Sequence, residues 1–256
     1  MKVNFSYDFT LTFDEPVRNH HFCLRIVPHT NAIQQLIDWK LTLNDTIPYQ
    51  KTRDGFGNQL VYGFIGKPHR ALKASMEGEI ELLPYVYHDN EPVELYLPYS
   101  TLVPFSMVLH DFSRSLKLPV TDFRKAYFLT QTLFEQFKPI EISKAKGLET
   151  FLLYKEGLSQ DFSHLLIALL RQSHIPARFV NGFIDGINKT HTWVEAFVDG
   201  DWRGFDPLNG TLINDEPYIK IAHGRDFSEC QTHRGSYIGK RQHILEITGR
   251  IGKDEQ

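Results

Sequence analysis

Cysteine is nearly absent: the 256-residue chain has two, Cys23 and Cys230, far apart in sequence. That placement excludes a disulfide framework and a CxxC metal pair, and fits reduced thiols of a cytoplasmic protein. Also lacking is any apolar run near the roughly 20 residues that a membrane span requires. The N-terminal MKVNFSYDFTLTF alternates apolar and polar residues, where a secretory signal would carry a continuous apolar stretch. No charge of one sign dominates. With 28 basic and 31 acidic residues and a net charge of -3, there is no broad field to draw in nucleic acid or an anionic membrane surface. HExxH spacing, paired His/Cys sets, a Walker loop and a GxGxxG fingerprint are missing too, so neither a metal nor a nucleotide cofactor is expected.

What is present is ordinary globular composition, 41% hydrophobic and 23% charged, in a chain long enough for one large domain or two modest ones. Two are expected. The segments FSYDFTLTF, HFCLRIVP, LIDWKLTLN, QLVYGFIG and GEIELLPYVY are short alternating or aromatic-rich runs. They are separated by DEP, NDTIP and DGFGN, which predicts an antiparallel β-domain over residues 1–98. The proline-rich stretch from Pro84 to Pro104 marks the junction with a second unit over residues 99–256.

There the period changes. TDFRKAYFLTQTLFEQF has Thr121 and Asp122 as capping residues. Phe123, Ala126, Tyr127, Thr130, Leu133, Phe134 and Phe137 follow at three-and-four spacing, so a helix ending near Pro139 is predicted. A second helix should start at Ser159, bury Phe162, Leu165, Leu166, Leu169 and Leu170, and stop before Pro176. ARFVNGFI, HTWVEAFV and DWRGFDP then read as strands. The fold class is therefore α+β, a helix block feeding an antiparallel sheet.

Asp199-Gly200 is a two-residue hairpin signal. With that turn Val198 faces Asp201, Trp193 faces Asp206, and His191, Trp193 and Asp206 project from one face. The imidazole and carboxylate become diagonal neighbours, with backbones roughly 7–8 Å apart, whereas a one-residue slip would send Asp206 to the other face. A carboxylate on one imidazole nitrogen fixes the tautomer and leaves the other free to take a proton from a nucleophile. A helix N-terminus is where developing negative charge is best stabilised, and Ser159 stands at one. Serine is also a preferred helix cap. Taken singly, His191 could be a strand-face histidine and Asp206 part of an Asp-Pro turn; the combination points to a catalytic Ser159, His191 and Asp206.

GLSQDFSHLLIALLRQSHIPARFVNGF, HTWVEAFV, WRGFDPLNG and GRDFSE, with DGFGN and KPHRAL ahead of them, resemble the bacterial transglutaminase-like proteins, relatives of the papain-type cysteine proteases. The resemblance implies a papain-like core behind an N-terminal β-domain, and acyl transfer on peptide or amide bonds with a peptide or protein substrate. By position it puts the nucleophile on Ser159, the general base on His191 and the orienting carboxylate on Asp206, with Asp161 and Trp193 in support. Arg178, Arg225 and Asp226 match family positions; a structural role is expected of all three, with bracing of the site through ion pairs as the alternative. Animal transglutaminases need calcium, but the chain has no EF-hand loop, so no calcium is implied. The family carries cysteine where this chain has Ser159. A thiol at a helix N-terminus beside histidine can rest as thiolate, whereas a serine must lose its proton during attack. Three readings follow: a native serine acyl-transfer enzyme, a non-catalytic descendant that binds a peptide or protein, or a cysteine enzyme whose nucleophile has been replaced. Cys230 is expected as a buried inert thiol, with substitution for the nucleophile as the alternative, and Cys23 as packing.

Overall fold

The computed structural model describes residues 1–44, 47–142, 146–240 and 242–253. The first sheet is built around β1 (Lys2–Leu24), whose Val3, Phe5, Tyr7, Phe9, Leu11 and Phe13 alternate inward and are fully or almost fully buried. Burial of such a side chain stabilises by roughly 1.5–3 kcal/mol. The sheet continues with β2 (Gln34–Leu43), β3 (Tyr49–Arg53), β4 (Gln59–Ile65) and β5 (His69–Leu82). The DEP segment was expected to separate two strands. Instead β1 runs through it and changes partners: Lys2–Thr12 pair with β5, while His20–Leu24 pair with β4. The register shifts between Thr12 and Val17, and Asn19 takes a φ of 50°. Such an irregularity bends the strand and lets one segment serve two parts of a curved sheet. In the expected NDTIP turn, Asp45 and Thr46 lie outside the described residues.

After β6 (Val86–Tyr87) come the helices α1 (Met107–Ser115) and α2 (Asp122–Gln136), the short β7 (Lys138–Pro139), α3 (Leu148–Tyr154), β8 (Glu156–Gly157) and α4 (Ser159–Gln172). Then follow β9 (Ala177–Ile184), β10 (His191–Val198), β11 (Asp201–Asp206), β12 (Thr211–Ile213), β13 (Tyr218–Gly224), β14 (His233–Ile238) and β15 (His243–Lys253). The second sheet is antiparallel in the order β12-β11-β10-β9-β13, with β6 also on β11. Its fold class is the expected one, a helix block on an antiparallel sheet behind an antiparallel β-rich N-terminal half. The α1 and α3 helices were not predicted, being short and lacking a long apolar period. Nor were β14 and β15, which return to the first sheet and pair with β1.

Helix α4 is the pivot of the second core. From Phe162 to Arg171 every residue is buried, the polar Ser163, His164 and Arg171 included, and Phe162 packs on Phe151 at a ring separation of 5.1 Å. On α2 the prediction needs correction. Tyr127 and Phe134 are 43% and 49% exposed, and Leu129, not singled out in the sequence, is fully buried. Ring residues at helical spacing mark a face without saying how deep the sheet beneath it reaches. Among the described residues no helix is long and apolar enough to cross a membrane. Leu129→Ala should therefore cost about 2–5 kcal/mol in denaturant unfolding and Tyr127→Ala less than about 1 kcal/mol, an order that reverses if the sequence-level face is the true one.

Candidate active site

The hairpin forms in the predicted register. Asp199 and Gly200 have φ values of 55° and 88°, the positive pair that a type I′ turn requires. The ladder runs from Val198↔Asp201 to Val194↔Phe205. His191 and Asp206 consequently meet: His191 Nε2 lies 2.6 Å from Asp206 Oδ2. An ionised carboxylate only accepts, so Nε2 is the donor; in the neutral imidazole Nδ1 is then the nitrogen with the lone pair. Among the described residues Nδ1 has no hydrogen-bond partner.

Asp206 is fully buried and is held by more than histidine. Oδ2 also accepts from the Tyr218 hydroxyl at 2.8 Å and from Asn209 Nδ2 at 2.8 Å. Oδ1 accepts from the backbone N–H groups of Leu208 and Asn209 at 3.0 and 3.2 Å. Burial by itself raises the carboxyl pKa. The bond and charge of His191, the Tyr218 hydroxyl and the Asn209 N–H outweigh it, leaving Asp206 below its ordinary 3.8. Neither Tyr218 nor Asn209 was assigned a role from the sequence. Asn209 had a signal, since it sits in the turn directly after Asp206; Tyr218, on a strand of the far edge, had none.

Ser159 lines the same cleft as His191, a cavity of about 790 Å³. No hydrogen bond joins the two among the described residues. Leu158, not Ser159, is the cap of α4, so the capping reading of Ser159 is overturned: the serine is already the first helical residue. Asp161 does the capping work, accepting the Leu158 N–H on Oδ2 at 2.8 Å. Gly157 is required beside it, because a Cβ there would sit 2.7 Å from Asp161 Oδ2 and 2.6 Å from the Phe151 ring. The N–H groups of Ser159 and Gln160 have no acceptor among the described residues, as the first turn of a helix allows. One turn on, Ser163 Oγ and Thr192 Oγ1 are 3.0 Å apart. This buried bond ties the helix of Ser159 to the strand of His191, and nothing in the spacing of the sequence announced it.

Trp193 stands behind the site. Its Nε1 donates to the Tyr85 hydroxyl at 2.8 Å, and its ring meets Tyr218 edge-on at 5.2 Å. Tyr85 and Tyr87 both donate to Glu195 Oε1 at 2.7 Å. Glu195 Oε2 takes Arg178 Nε at 2.6 Å and Lys220 Nζ at 2.7 Å. Arg178, Glu195 and Lys220 are buried charges that persist because each is paired and hydrogen-bonded. Burial pushes the Glu195 carboxyl up, but Arg178 and Lys220 overcome it and lower its pKa. Arg178 also pairs with Asp89 and Glu91 at 2.9 and 3.0 Å. Arg225 pairs with Glu229. Asp226 makes hydrogen bonds instead, accepting the Leu102 N–H at 2.9 Å and the Ser228 N–H at 2.8 Å.

Cys230 is fully buried, its Sγ 3.3 Å from the Asp226 carbonyl. Burial drives its thiol well above the ordinary range, which removes it as a substitute nucleophile. Cys23 is partly exposed, and neither thiol is bridged.

Two measurements check this electrostatic account. A carboxyl ¹³C titration of Asp206 should show a midpoint below 3.8, since its donors stabilise the anion above that pH and release it as pH falls through the lower folded value. Arg178→Met, which leaves Glu195 buried and under-compensated, should cost about 3–5 kcal/mol in denaturant unfolding.

Comparison with known proteins bears on the fold and the family. Uncharacterized proteins of Mycobacterium bovis and Mycobacterium tuberculosis are each 24% identical over 269 residues, 87% of this chain and 83% of theirs. A crystal structure from Cytophaga hutchinsonii, described as that of a candidate cysteine protease, shares the fold with a TM-score of 0.78 at 20% identity, covering 97% of this chain and 90% of that one. Residues 111–207 match the transglutaminase-like superfamily and residues 3–81 the bacterial transglutaminase-like N-terminal region. These two stretches support a relationship to the transglutaminase-like superfamily, with a core preceded by the N-terminal region of its bacterial members.

Proposed function

We propose that this protein performs acyl transfer on peptide or amide bonds with Ser159 as nucleophile, His191 as general base and Asp206 as orienting carboxylate. The observation that carries the reading is the 2.6 Å bond from His191 Nε2 to Asp206, in a histidine that lines the cleft that holds Ser159. In the first half-reaction Ser159 Oγ attacks the carbonyl carbon and its proton passes to His191 Nδ1. The tetrahedral oxyanion is held by the N–H groups of Ser159 and Gln160, which have no other acceptor there. Collapse breaks the C–N bond, His191 returns its proton to the leaving amine, and an ester-linked acyl-enzyme remains. Water or a second amine, deprotonated by His191, attacks the ester and frees Ser159. Asp161 and Trp193 are positioning residues, the first through the start of α4 and the second through Tyr218.

The division into an N-terminal unit over residues 1–98 and a core over 99–256 is part of the proposal, with β14 and β15 contributed by the core to the first sheet. A cytoplasmic setting fits the two unbridged thiols. One observation favours a second reading, a non-catalytic descendant that binds a peptide or protein: the Ser159 hydroxyl makes no hydrogen bond to His191. Catalytic hydrogen bonds often tighten only when substrate is bound, so the first reading stands ahead.

A fluorophosphonate probe separates the two. Under the acyl-transfer reading it labels the protein, labelling disappears in Ser159→Ala, and its rate falls roughly 10³–10⁴-fold in Asp206→Asn, where the imidazole loses its tautomer control. Labelling that survives Ser159→Ala rejects the serine. If the unaltered protein is inert, and Ser159→Cys gains no thiol reactivity beyond that of Cys23 and Cys230, the binding reading replaces the catalytic one.

A further inference from the structure

Part of the lining of the cleft that holds Ser159 is a sheet edge. Strand β15 lies on β1 in unbroken register from Val3↔Lys253 to Phe13↔His243, and among the described residues it pairs with no other strand. In an antiparallel ladder, successive residues aim their N–H and C=O groups alternately toward the partner and away from it. The Gly249 N–H points away from β1, donating to the Asn188 carbonyl at 3.2 Å. By parity the N–H and C=O groups of Ile247, Leu245 and His243 point to the same outer side, where no backbone partner meets them among the described residues. These three residues line the cleft that holds Ser159 and His191. A second cavity of about 730 Å³ borders the same stretch and reaches Glu246, Thr248 and Lys189. The loop that touches the edge at Asn188 runs three residues further into His191, so the open edge is continuous with the candidate site.

An exposed edge of this length is a template for another chain, and proteins ordinarily blunt or cover it. Here Ile244 and Leu245 are 60% and 42% exposed. We infer that a polypeptide substrate binds in extended form as an added strand on residues 243–247 of β15, which delivers one of its backbone carbonyls to Ser159. Main-chain hydrogen bonds then supply affinity, and alternate side chains supply selection. One set of substrate side chains falls on the apolar side of Leu245 and Ile247; the other meets Glu246 and Lys189. The substrate class is an unfolded polypeptide segment with apolar residues at every second position, not a folded surface or a free amino acid. That the segment is cut or transferred rests on the acyl-transfer reading above; that it is held by the edge does not.

The test uses full-length Ser159→Ala protein, which leaves the probe intact, with fluorescein-labelled, reduced and carboxymethylated α-lactalbumin as a permanently unfolded polypeptide. Anisotropy should report binding, and Leu245→Pro should weaken it at least tenfold more than Leu245→Ala. The proline removes an outward N–H without breaking a bond to β1; the alanine removes only the side chain. In the Ser159→Ala protein itself, amide exchange at Leu245 and Ile247 should slow at least tenfold on binding, while Ile244 and Glu246, bonded to β1, change little. Absence of binding, equal effects of proline and alanine, or unaltered exchange at Leu245 and Ile247 would each overturn the inference. So would a dimer that protects those amides without the probe, since a second copy would then occupy the edge. An inert Ser159 combined with edge-dependent binding removes the acyl transfer and keeps the edge, whereas a reactive Ser159 with edge-independent binding does the reverse.

Discussion

The hydrogen bond between His191 and Asp206 governs the rest of the site, because a buried carboxylate is tolerable only when its lone pairs are filled. Asp206 has its own turn, a tyrosine from β13 and the histidine around it. The result is an anion that stays charged in the interior and holds one face of the imidazole. Take away any donor and the carboxyl has less reason to remain ionised. The free nitrogen of His191 is therefore a consequence of how Asp206 is solvated by protein.

The same economy extends outward. Trp193 connects the Asp206 face, through Tyr218, to the buried Glu195 cluster, where one carboxylate serves an arginine, a lysine and two tyrosines. Such clusters do little for net stability compared with well-packed apolar residues, but each member fixes the geometry of the next. The Ser163–Thr192 bond performs a similar task across the helix–sheet interface. It sets the position of α4 against β10 one turn beyond Ser159 and one residue beyond His191. The first sheet then completes the cleft, since β15 must pair with β1 before His243, Leu245 and Ile247 can line it.

Much of this was legible in the linear chain, for local reasons. Asp199-Gly200 dictates its turn because both positions need positive φ, and the two-residue period of the flanking strands then carries Asp206 to the face of His191. Helix α4 announced itself through an apolar run between Ser159 and Pro176. The long-range pieces were not legible. Tyr218 reaches Asp206 only because β13 joins the sheet beyond β9, and hydrophobic period says nothing of strand order. Thr192 seemed an ordinary strand residue until a helix was laid over it. On β1, the DEP segment has the composition of a turn, yet pairing on both sides carries the strand through it.

What the chain determined by itself was therefore periodic and local: the alternation of β1, the all-apolar face of α4, the hairpin register, and the helix start that presents Ser159. Only the tertiary structure decided which donors surround Asp206, how α4 is fastened to β10, and that the last strands return to form part of the lining of the cleft. The physical reason is that side-chain period and turn chemistry act over a few residues, whereas burial of a charge and pairing of a strand depend on separate elements meeting in one place.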